Sequence, residues 1–212
     1  PAAALQGPDG ARVLDAIDKP PLVFDPRPDQ RLYRIRWSGP EWLLLDVDIT
    51  ENLTNFTNNV RLATFARTLA INIRTRNAAQ LLTNPETAFT SNLTRIAAAP
   101  EATPDEVMMA AFYWRDDALK DTRLGPARGD ARMGLFRVSL KTGLGKLVED
   151  GGVGTYAYVL DPQGMLRARA DFSEKARHDT VYRIESGGAS KLLERPAANS
   201  EMTPIAGMAA GG

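Results

Sequence analysis

The chain has 212 residues, 43% of them apolar, and its 26 basic residues are balanced by 26 acidic ones. That is enough apolar material for a real core, and the zero net charge argues against a general nucleic-acid binder. There is no cysteine, which excludes disulfides, thiolate catalysis and Cys-ligated zinc, and no apolar run approaches the ~20 residues of a membrane helix.

In chain order, residues 1–30 read as an N-terminal extension that includes "ARVLDAIDKPPLVFD". Strand signals then dominate. "LYRIRW" (32–37) sets Tyr33, Ile35 and Trp37 against Leu32, Arg34 and Arg36, and the turn cluster "SGPE" leads into "WLLLDVDI" (42–49), rich in strand formers. Residues 50–64 place Leu53, Phe56 and Val60 at helical spacing, but their Asn and Thr are poor helix formers, so a short helix or a structured loop is expected. "TRIAAAPEATPDE" (94–106) reads as a connector broken by Pro100 and Pro104. "VMMAAFYW" (107–114) is a continuous apolar run of strand length, and the charged stretch 115–132 reads as an exposed loop. "LFRVSL" (135–140) and "VYRI" (181–184) alternate at period two.

Three segments share one design: "LAINIRTRNAAQLL" (69–82), "LFRVSLKTGLGKLV" (135–148) and "TVYRIESGGASKLL" (180–193). Each is an alternating strand, a polar or glycine turn, and a short strand closing on two apolar residues. Ahead of the third unit, "TYAYVLD" and "MLRARADF" are joined by Asp161-Pro162-Gln163-Gly164, read as a hairpin turn. Arg167, Arg169 and Asp171 then form one strand's polar face. The predicted fold is all-β: antiparallel four-stranded blades over about 31–83, 92–150 and 155–195, a partial β-propeller of about three blades in an open arc. Residues 196–212 read as the start of a further blade or a linker. Three blades leave bare outer faces, to be covered by the terminal segments or by self-association of two copies through the open blade faces.

The order "YRIRWSGPEWLLL", "INIRTRNAAQLL", "GLFRVSLKTGLGKLVEDG", "YVLDPQGMLRARADF" resembles the N-terminal propeller of bacterial serine peptidases of the prolyl oligopeptidase family, over roughly residues 31–195. The resemblance implies a fragment whose partner is a C-terminal α/β-hydrolase domain with a Ser-Asp-His triad, and whose task is to gate peptide substrates. Both chain ends then read as cuts through a longer protein. A stand-alone propeller-like interaction module is the alternative. The resemblance fits a periplasmic or secreted compartment, with the cytoplasm as the alternative.

No catalytic, cofactor or metal residue is expected in this chain. The elbow Gly-x-Ser-x-Gly is absent, the nearest string being Gly187-Gly188-Ala189-Ser190-Lys191. Ser173, His178 and Asp179 read as a solvated turn, not a triad. Asp46, Asp48 and Glu51 fail the calcium-loop pattern, since Glu51 and Thr57 stand where glycine and glutamate are needed, and read as a strand's solvent face. Gly143-Leu144-Gly145-Lys146 feeds a strand, which is wrong for a phosphate loop. Gly151-Gly152-Val153-Gly154 reads as a linker between blades. Arg128-Gly129-Asp130 and the sequons at Asn52, Asn55 and Asn92 read as incidental, and Trp114, Arg115, Asp116 and Asp117 as a blade rim with local ion pairs.

Overall fold

The computed structural model describes residues 29–52, 62–83, 95–114, 131–152, 154–186 and 188–197. Among them every regular element is a strand. The elements are β1 (Gln30–Ser38), β2 (Trp42–Asn52), β3 (Leu62–Asn72), β4 (Ala78–Gln80), β5 (Arg95–Ala98), β6 (Glu106–Trp114), β7 (Ala131–Ser139), β8 (Gly145–Asp150), β9 (Thr155–Leu160), β10 (Leu166–Ser173), β11 (His178–Glu185) and β12 (Gly188–Pro196). They form three four-stranded sheets, each a meander of consecutive strands: β1–β4, β5–β8 and β9–β12. All the strand pairs are antiparallel, and no sheet closes into a barrel. The architecture is all-β and propeller-like, as the repeat predicts.

The middle sheet explains the unbroken apolar run 107–114. Side chains on successive strand residues point to opposite faces. Val107, Met109, Ala111 and Tyr113 of β6 and Phe136 and Val138 of β7 join Trp42, Leu44, Ala70, Leu81 and Leu82 of the first sheet in one buried cluster. The alternate residues Met108, Met133 and Leu135 are buried too, at 3%, 7% and 0% exposure, on the other face. Both faces are covered, so alternation of polar and apolar residues disappears.

Three segments differ from the sequence reading. The Ala-rich stretch 94–106 contains β5, which pairs with β6 through Arg95↔Ala110 and Ile96↔Met109. Pairing with β6 outweighs the low strand propensity of alanine. The ends of the 50–64 insert are strand, with Thr50↔Thr64 and Asn52↔Leu62 in register, so the β2–β3 hairpin reaches further than expected; residues 53–61, with the helical-spacing set, lie outside the described residues. Ala131 and Arg132, assigned to the charged loop, begin β7.

Two glycines stand where a side chain would not fit. Gly143 sits at φ +74 in the β7–β8 turn, and a Cβ there would come within 2.0 Å of the Gln80 carbonyl oxygen. The turn therefore docks on the end of the first sheet as well as reversing the chain. Gly151 lies where the middle and third sheets meet, and a Cβ there would come within 2.2 Å of the Met133 carbonyl oxygen. In the first blade the left-handed position is held by Arg76, at φ 61, and not by Asn77.

The first sheet also has a face turned away from the middle sheet, built from Leu45, Val47 and Ile71 with Leu32, Leu43, Ile49 and Leu69. Leu45 and Val47 there are 2% and 1% exposed, so this face is not bare. The terminal segments that were offered as covers lie outside the described residues.

Candidate functional site

Asp46 of the acidic set on β2 does not lie on a solvent face. Asp46 is 3% exposed and accepts hydrogen bonds from Thr68 Oγ1 at 2.7 Å and from Arg36 Nη2. β2 is flanked by β1 and β3, and the register puts Arg34 and Thr68 beside Asp46 on one face. The strands on both sides thus supply the cation and the hydroxyl that a buried carboxylate requires. Asp48 stands two residues on, at the wall of an open cleft of about 780 Å³ lined with Asp29, Gln30, Arg31, Thr50 and Thr64. Among the described residues no group of three or more acids and histidines is arranged to hold a metal ion.

Ser173, His178 and Asp179 lie at the β10–β11 hairpin. Ser173 and His178 are register partners, and Ser173 Oγ accepts from the Ala176 N–H at 3.2 Å. His178 Nδ1 lies 3.8 Å from a carboxylate oxygen of Glu194 on β12. Asp179 is 1% exposed, within 3.5 Å of Arg195. Adjacent strand residues face opposite ways, so His178 and Asp179 are turned apart and no acid–base–nucleophile relay forms.

The Asp161–Gly164 turn is a hairpin built around its aspartate. Gly164 takes φ +79 and donates to the Asp161 carbonyl at 2.9 Å. The Asp161 carboxylate accepts from the backbone N–H groups of Gln163 and Met165 at 3.0 and 2.8 Å, and from Arg167 Nε at 2.8 Å. Burial acts to raise its pKa, but the Met165 and Arg167 hydrogen bonds prevail and hold it below the ordinary carboxylate value.

Arg169 and Asp171, read as a polar face, stand at the junction of the middle and third sheets. The Arg169 guanidinium is 3.2 Å from Glu149 of β8 and 3.1 Å from Asp171, and lies 5.4 Å over the Tyr182 ring. Asp171 also accepts from Thr155 Oγ1 at 2.7 Å. Tyr158 donates its hydroxyl to the Met133 carbonyl, and burial first, then the nearby Glu149 charge, push its pKa up. The alternation of Arg167, Arg169 and Asp171 with apolar residues contains no signal for this, because Glu149 and Met133 come from another sheet. A smaller cleft of about 230 Å³ opens between the first and middle sheets, lined by Trp42, Asn72, Thr75, Asn77, Ala78, Leu140 and Lys141. At its rim Asp105 accepts from Trp42 Nε1 at 2.8 Å and pairs with Lys141.

Gly143 to Lys146 form the docked β7–β8 turn and the start of β8, and Gly188 opens β12. Trp114 and Asn52 end strands, with nothing described of their side chains. Arg115, Asp116, Asp117, the Arg128–Asp130 tripeptide, Asn55 and Asn92 lie outside the described residues. No helix among the described residues is long and apolar enough to cross a membrane. No known protein family, curated protein or solved structure matches the chain.

Proposed function

We propose that this chain is a non-catalytic, propeller-type scaffold. One observation carries the reading: the carboxylates of Asp46, Glu149, Asp150, Asp161 and Asp171 are engaged in holding strands and sheets together. Asp46 is bound by Arg36 and Thr68, Asp161 by its own turn and Arg167, and Glu149 and Asp171 by Arg169. Asp150 accepts from Tyr113 at 2.6 Å and lies 3.6 Å from Arg132. A general acid or base needs a group free to exchange its proton with substrate, and these carboxylates are already occupied by partners within the fold.

Within that class, the blade phrases that resemble serine-peptidase propellers support gating or positioning of peptide substrates for an α/β-hydrolase domain. In such an assembly the triad would carry acyl transfer from a peptide bond to serine and then to water. The scaffold reading predicts no turnover when the purified chain is incubated with fluorogenic peptides, and turnover by this chain overturns it. The peptidase reading is tested on the coding sequence downstream of Gly212. A Gly-x-Ser-x-Gly elbow a few hundred residues on supports it, and a frame without one leaves a stand-alone interaction module.

A further inference from the structure

We propose that two copies of this chain join through β12, antiparallel, about a twofold axis between Leu192 and Leu193. β12 is the edge of the third sheet, with β11 as its one described strand neighbour. All nine of its residues are exposed, and Leu192 and Leu193 stand 58% and 47% open. A long exposed edge strand is a template for pairing unless charge, proline or a bulge blunts it.

The charges of β12 oppose most partners but suit a second copy. Its centre reads Ser190-Lys191-Leu192-Leu193-Glu194-Arg195. About the proposed axis, Lys191 faces Glu194 of the partner subunit, and Leu192 faces Leu193 of the partner subunit. Opposite charges directly across a pair of strands are favourable and like charges are not, so an antiparallel strand carrying one sign of charge meets a mismatch at Lys191 or at Glu194. Leu192 is the bulge residue, between the Val181↔Leu193 and Tyr182↔Lys191 pairs. The bulge therefore falls on the axis, where the four leucines gather, and ladder bonds form on either side of it. Within one copy Lys191 and Glu194 already pair, which leaves both side chains at the edge with their charges.

Two other edges are poorer choices. β1 exposes Tyr33, Ile35 and Trp37, but Arg31, Arg34 and Arg36 would set like charges together in a self-pair. β8 carries the related run Lys146-Leu147-Val148-Glu149, but Glu149 is held by Arg169, and Leu147 packs beside Gly134. β12 is the copy of this phrase whose glutamate is not taken by another sheet.

The test is sedimentation equilibrium of the chain and three variants, with circular dichroism to show that each is folded. The unaltered chain gives a mass that rises with concentration to that of a dimer. Lys191→Glu and Glu194→Lys each weaken dimerisation at least about tenfold, because both cross-axis pairs become like-charged. The double variant Lys191→Glu/Glu194→Lys dimerises again. The two single variants mixed in equal amounts also recover the dimer mass, since each charge then faces its opposite. That mixture does not restore the pair within a chain, so it isolates the contact between copies. A mass that stays monomeric at every concentration, a dimer indifferent to the single reversals, or a mixture that fails to recover overturns the proposal.

Discussion

The two faces of the middle sheet are held by different chemistry. Toward the first sheet it offers Val107, Met109, Ala111, Phe136 and Val138 to a cluster that is almost wholly apolar. Toward the third sheet it also buries Met108, Met133 and Leu135, but there polar contacts are added: the Arg169 bridge to Glu149 and the Tyr158 bond to the Met133 carbonyl, beside the packing of Gly164 on Pro100 and Met108. The apolar junction gains its free energy from area removed from water, roughly 1.5–3 kcal/mol for each fully buried large side chain. The polar one gains less per contact, because each ion and hydroxyl gave up water to enter it. What it adds is registration, since hydrogen bonds and ion pairs are satisfied at one alignment only.

The largest effect is expected at the apolar junction. Met109→Ala removes a fully buried side chain and should cost about 2–5 kcal/mol in urea unfolding; a loss below 1 kcal/mol would mean that this face repacks easily. Gly143→Ala comes next. It places a Cβ at positive φ against the Gln80 carbonyl, and a cost of about 1–3 kcal/mol is expected. At the polar junction Arg169→Met leaves Glu149 and Asp171 without their shared cation, for about 1–3 kcal/mol. Tyr158→Phe removes one hydrogen bond and should cost about 1 kcal/mol, and a double-mutant cycle with Arg169→Met reports how far the junction acts as a unit.

The smallest effect is one of pH at the rim of the apolar junction. The hydrogen bond from Lys141, followed by that from Trp42, holds the Asp105 carboxyl below its ordinary value of 3.8. A carboxyl depressed in the folded state stabilises the fold above its unfolded pKa, and the contribution is lost as pH falls through the folded pKa. Asp105→Asn should therefore be slightly less stable than the unaltered chain at neutral pH. The gap should close as the pH drops below about 4, where thermal unfolding curves of the two should converge.

Much of the fold could be read because strands and hairpins are local. The turns at Thr142-Gly143 and Asp161–Gly164 follow from glycine where the backbone needs positive φ, and period two in 135–140 follows from burial by face. β5 escaped because Ala97 and Ala98 have little strand propensity; the strand is held by the Ile96 and Ala98 pairs with β6, on either side of a bulge at Ala97. Asp46 was misplaced because its spacing on β2 suits a solvent face. Only knowledge that Arg36 and Thr68 flank it turns a costly buried charge into a satisfied one.

The sequence by itself determined most of the strands, β5 excepted, with their turns and the repeat of a four-stranded unit, since these rest on alternation and on backbone freedom within a few residues. Tertiary structure alone decided which faces meet. It covered both faces of β6 and turned Arg169 from a polar-face residue into a bridge between sheets. The reason is physical: a charge in a sequence carries no mark of what will oppose it, and its energy is set by groups that come from another sheet.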